Sequence, residues 1–249
     1  MSKLIELFNR ASATGAQAMG FLSRKSAAPA KRLALIAVTG LPAAAFPKAD
    51  AVLVQPGDAK LTAAALKDIV TRLGDVPWGV PGGDKAPKGS DFVVLPVTGL
   101  TAAAPENEDT GKLLEIEASM DDGLLRAVND LPVDAVVVAD ALEDSGPLTW
   151  HRLMILAHVR HLVSKPVVVP AAADISDADV KSLWDAGADG IMVTADAARI
   201  AALADVIAAL PPRTLPKKNS RDAVVPRTSA AATPARAEPE EPDEDDDWE

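Results

Sequence analysis

Runs of valine, isoleucine, leucine and alanine recur along this chain with little polar alternation inside them. They fall at residues 32–38 (RLALIAV), 49–55 (ADAVLVQ), 76–80 (VPWGV), 91–97 (DFVVLPV), 112–118 (KLLEIEA), 133–140 (VDAVVVAD), 165–171 (KPVVVPA) and 189–195 (DGIMVTA). Short continuous apolar runs are the signature of strands buried on both faces, and there are eight of them. Segments of helical period separate several of the runs, at 60–74, 120–131, 147–164, 176–187 and 197–210. The segment 176–187 opens with Ser176 or Asp177 as N-cap and stops at Gly187, and 197–210 stops at Pro211–Pro212. Near the N-terminus Leu4, Ile5, Leu7 and Phe8 also recur at helical spacing. They predict a short amphipathic helix covering one end of the domain, with a membrane-surface or partner-docking helix as the alternative.

Alternating strand and helix predicts parallel strands joined by right-handed crossovers. Eight such strands predict an α/β protein of TIM-like (β/α)8 architecture. The links after the first, third and fourth strands are too short or too rich in Pro and Gly for full helices. The expectation is therefore a trimmed barrel with several helices reduced to loops, and an open doubly wound sheet is the alternative. The domain reading is an N-terminal helix and linker over 1–29, a barrel over 30–211 and a tail over 212–249.

The tail carries six Lys/Arg against ten Asp/Glu and ends in EPEEPDEDDDWE, nine acids in twelve residues. It has too little apolar surface to offset ordering entropy, so it is expected to be disordered. AVVP (223–226) and Trp248 are its apolar exceptions, and a protein partner bound through this acidic segment is a candidate interaction. The whole chain has a net charge of −11, which disfavours phosphate backbones and hence nucleic acid. It contains no cysteine, which excludes disulfides, thiol nucleophiles and Cys-ligated metal centres and suits a cytoplasmic protein. No apolar run is long enough to span a membrane, and the N-terminus lacks a signal-peptide core.

The stretch 165–200, KPVVVPAAADISDADVKSLWDAGADGIMVTADAARI, resembles the seventh and eighth βα units of ribulose-phosphate-binding, aldolase-type barrels, the group that includes indole-glycerol-phosphate and thiamine-phosphate synthases. Asp179, Val180, Leu183, Ala186, Gly187, Ala188, Asp189 and Gly190 carry the match. The resemblance implies the barrel fold and a phosphate held by backbone N–H groups of the two turns. This sequence departs from that pattern where the phosphate would sit. Ala173 and Asp174 stand in place of two glycines, Thr194–Ala195 replaces Gly-Ser, and Asp196 adds a carboxylate. At about 4 Å and an effective dielectric near 20, a carboxylate repels each unit of phosphate charge by on the order of 4 kcal/mol. No phosphate is expected in the inherited position.

Barrel chemistry sits at the C-terminal ends of the strands. Those ends offer Thr39, Gln55, Glu117, Asp140, Asp174 and Thr194, with no histidine and no strand lysine. Glu117, Asp140 and Asp174 are the candidate acid/base groups; Thr39, Gln55 and Thr194 are candidate ligand contacts. Glu115 and Glu117 alternate with Leu114 and Ile116 and so share one face of the fifth strand. Glu117 and Asp140 could together attract a hard cation such as Mg²⁺, but no metal site is expected, and no cofactor is indicated. His151, His158 and His161 fall in one helix and are expected on the surface. Two functions follow: a non-catalytic binding or scaffold module, or an aldolase-type enzyme acting on a small metabolite through strand-end carboxylates.

Overall fold

A computed structural model describes residues 2–13, 33–57, 61–82, 86–98, 109–139 and 148–211. The strands are β1 (Ala34–Thr39), β2 (Ala51–Val54), β3 (Trp78–Pro81), β4 (Phe92–Pro96), β5 (Gly111–Ile116), β6 (Ala135–Val138), β7 (Val167–Ala171) and β8 (Gly190–Val193). Each pairs in parallel with the next, and β8 pairs with β1, closing the barrel. All eight apolar runs became strands of one sheet, and the open-sheet alternative is excluded. The helices are α1 (Lys3–Ala13), α2 (Ala63–Leu73), α3 (Asp122–Ala127), α4 (Trp150–Leu162), α5 (Asp177–Ala186) and α6 (Ala197–Ala209). Among the described residues no helix follows β1, β3 or β4. The helical segment expected at 120–131 is shorter than its pattern: after Ala127 it tightens into a 3-10 turn, Val128–Asp130.

Met1–Arg213 forms one compact unit. The acidic tail, with AVVP and Trp248, lies outside the described residues, so the expectations placed on it concern residues that are not described.

Local chemistry sets the helix boundaries. Ser176 and Asp179 form a capping box at the start of α5, satisfying two backbone donors that the helix cannot. Gly187 ends the same helix at φ 115°, where a Cβ would also lie 2.7 Å from Arg160 Cγ. Thr62, Thr149 and Asp196 cap α2, α4 and α6 through side-chain oxygens.

A second pattern organises the bottom of the barrel. An aspartate immediately precedes every even-numbered strand: Asp50, Asp91, Asp134 and Asp189. Three of them accept a backbone N–H from the preceding odd strand: Asp50 from Leu35 (3.0 Å), Asp134 from Lys112 (2.8 Å) and Asp189 from Val167 (3.0 Å). Asp91 instead receives the start of α1, accepting from Ser2 Oγ (2.7 Å), Lys3 N (2.8 Å) and Leu4 N (3.1 Å). A carboxylate at a helix N-terminus meets both orphan N–H groups and the positive end of the dipole. The repeat thus clips three strand pairs and uses its fourth copy to seat a helix. Lys165 reinforces the same end: its amine donates to the carbonyls of Leu131 and Val133. Burial lowers its pKa below the ordinary lysine value, with Asp134 and then Asp130 pulling the other way.

Leu4 and Phe8 of α1 are 0% and 1% exposed and join the cluster that fills the barrel interior. That interior is layered, with alternate strands contributing to alternate layers. One low layer combines Phe92 with Ala51, Ala135 and Gly190, one large side chain against three small ones. The next holds Ile36, Gly79, Leu113 and Val168. Side chains at the intervening positions, such as Leu35, Val52 and Val136, point outward and pack under the helices.

Candidate ligand site at the barrel mouth

Continuing the layers upward builds the site. Leu53, Val94, Val137 and Met192 form an apolar floor. Above them stand Val38, Pro81, Glu115 and Pro170. Gln55, Ala139 and Thr194 lie at the rim. These residues, with Ala171, line a cavity of about 220 Å³ at the C-terminal ends of the strands. This is smaller than the roughly 300–1,000 Å³ of pockets that take drug-sized ligands.

Glu115 is the only titratable side chain among the described residues of that lining. It is half-buried, its layer is otherwise apolar, and its carboxylate has no hydrogen-bond or ion-pair partner among the described residues. Period-two geometry puts it there: Leu113 and Glu115 face inward while Leu114 and Ile116 pack against the helix layer. Gln55 and Thr194 are exposed at the rim, and their side chains likewise have no partner among the described residues.

Of the residues singled out from sequence, Gln55 and Thr194 line the cavity. Thr39 does not: Val38 is the inward residue of β1, and the Thr39 hydroxyl donates to Gly40 O at 3.3 Å. Glu117 lies one residue past the end of β5 and is exposed, with Ser119 Oγ 3.5 Å from Oε2. Asp174 is exposed beyond β7 and outside the lining. Asp140 lies outside the described residues. The structure therefore does not bring Glu117 and Asp174 together, and the carboxylate it does place in the mouth is Glu115, the other half of the alternating pair. Among the described residues no cluster of three or more His, Asp or Glu side chains could hold a metal ion. All three histidines are exposed on α4, and His158 pairs with Asp122 at 2.9 Å.

Side chains of the chain itself bridge and cap the two turns that hold phosphate in the resembled barrels. Asp196 Oδ1 accepts the Arg199 backbone N–H at 2.7 Å at the start of α6. The Arg199 guanidinium crosses to the preceding turn and donates to Ala173 O (3.1 Å) and Ile175 O. At the head of α5 the Ser176–Asp179 box engages the backbone amides of Ser176 and Asp179.

Comparison with known proteins agrees on architecture. Two structures of tryptophan synthase from M. tuberculosis, one ligand-free and one aminoacrylate-bound, superpose with TM-scores of 0.53 and 0.52. Both are 16% identical, over 84% of this chain and 98% and 97% of theirs. The alpha-subunit of tryptophan synthase from Pyrococcus furiosus also matches, with a TM-score of 0.47 and 14% identity over 70% of this chain and 96% of its own. No family model and no curated protein matches the sequence. The chain has the aldolase-type (β/α)8 barrel fold, in a trimmed form. No helix among the described residues is long and apolar enough to cross a membrane.

Proposed function

We propose that this barrel is a binding module that takes a small metabolite into its mouth, anchored by Glu115, without turning it over. The observation that carries the reading is the carboxylate of Glu115: an acid standing in an apolar layer, above an apolar floor, with no partner and no second titratable group among the described residues of the lining. Acid/base assignments in many enzymes rest on pairs of groups with divergent proton affinities, and the described lining supplies one such group. The alternative, an aldolase-type enzyme acting on a small metabolite through strand-end carboxylates, would use Glu115 among the described residues of the lining. Native mass spectrometry of gently purified full-length protein tests the reading. A small molecule retained by the wild type and lost from Glu115→Gln supports it; conversion of the retained molecule on incubation would favour the enzyme.

An unpaired polar group in an apolar layer is a stability cost retained for function. Glu115→Leu is expected to raise unfolding free energy by roughly 1 kcal/mol in the ligand-free protein while abolishing retention. A loss of stability in urea titration would mean that Glu115 has a structural role.

The ligand is not held through phosphate at the inherited position. Asp174 and Asp196 place carboxylates there, and Arg199 is engaged by the backbone carbonyls of the facing turn. Inorganic phosphate or glycerol phosphate at millimolar concentration is expected to leave the amide resonances of residues 173–175 and 194–197 unshifted. Saturable shifts at those amides would overturn this.

A further inference from the structure

We infer that the ligand of the mouth carries a primary ammonium group, an inference that rests on the binding reading above. The three polar groups among the described residues of the lining lie just after β2 (Gln55), on β5 (Glu115) and just after β8 (Thr194). In the closed order of strands these are separated by three, three and two steps. They therefore border the mouth from three sides rather than forming one polar edge.

All three can accept hydrogen bonds, and one is a carboxylate. An ammonium offers three N–H donors and a positive charge, and it matches such a set in number and in sign. An anionic group would meet Glu115 with no cation among the described residues of the lining to offset it. A hydroxyl would satisfy one acceptor and leave the carboxylate charge uncompensated. A quaternary ammonium has no N–H to give, and no aromatic ring among the described residues lines the cavity to hold it by its face. The floor of Leu53, Val94, Val137 and Met192 and the walls of Val38, Pro81 and Pro170 accept a short aliphatic body. The net charge of −11 favours approach of a cation over an anion.

The test uses the full-length protein and four probes of similar size: n-butylammonium, n-butanol, butyrate and tetramethylammonium. Binding is read by calorimetry and by amide shifts at the ends of β2, β5 and β8. Butylammonium is expected to bind saturably, at least tenfold more tightly than the other three, and Glu115→Gln is expected to lose at least tenfold of that affinity. Equal binding of butanol, or undiminished butylammonium binding by Glu115→Gln, would overturn the ammonium assignment and leave the cavity a binding site. Failure of all four probes to bind would overturn the assignment and the binding reading together.

Discussion

Phe8→Ala should cost the barrel about 3–5 kcal/mol of stability, the range for deleting a fully buried aromatic ring. Phe8 is 1% exposed, and a Cβ added at Gly190 would lie only 3.3 Å from its Cε1. The ring therefore fills space that the first residue of β8 leaves open. Leu4, one turn earlier, is 0% exposed. Ser2 and Ile5 crowd Gly111 in the same way, with Ser2 Oγ 2.8 Å and Ile5 Cγ1 2.9 Å from a Cβ built there. Small residues at the strand starts and large ones on α1 are two halves of one packing arrangement. Asp91→Asn probes the polar half, since it removes the charge that three donors from residues 2–4 share. Hydrogen bonds to charged groups contribute about 1.5–3 kcal/mol each, so a loss near the lower figure is expected. The two substitutions act on one docked helix, and their effects should fall short of additive. Urea titrations of both single variants and the double variant check this. A change below about 1 kcal/mol for Phe8→Ala would show that α1 does not close the barrel, given what burial of such a ring contributes.

The contrast between what was legible and what was not follows from the physics of strands. Continuous apolar runs marked all eight strands because a barrel strand is buried on both faces, inward on the core and outward under helices. The Pro- and Gly-rich links correctly marked the places after β1, β3 and β4 where the described chain makes no helix. The site was harder. The residues at a strand's end are visible in sequence, but which of them points inward depends on register with neighbouring strands. Thr39 and Val38 differ by one position, and only the closed sheet makes Val38 the inward one. Glu115 and Glu117 share a face by alternation, yet β5 ends at Ile116, so one carboxylate stands in the mouth and the other is exposed beyond it. The aspartate before each even strand was present in the sequence at 50, 91, 134 and 189. Its meaning required knowing that odd and even strands alternate in height, and that α1 occupies the fourth position.

Gly79→Ala is the second large effect, about 3 kcal/mol or more, at the upper end of overpacking costs. A Cβ at residue 79 would lie 2.4 and 2.5 Å from Phe92 Cδ2 and Cε2 and 2.6 Å from Phe92 O. Gly79 and Phe92 are partners in the β3–β4 register, so neither can slide away without disturbing the ladder. Phe92→Leu in the same chain would relieve the ring contact but leave the carbonyl contact, so the double variant should recover only part of the loss. Full recovery would show that the ring alone requires glycine there; a neutral single variant would show that the layer is looser than its geometry. The consequence reaches the mouth. Pro81 and Val94 lie two residues above Gly79 and Phe92, and both line the cavity around Glu115. A displacement of β3 from β4 at the lower layer must therefore shift a wall and part of the floor of the site. Ligand retention should fall in Gly79→Ala even though the nearest change to the carboxylate is two layers down. Retention measured on the folded fraction separates this displacement from loss of fold. An unchanged affinity there would mean that the layers adjust independently, and that the lower packing does not position Glu115.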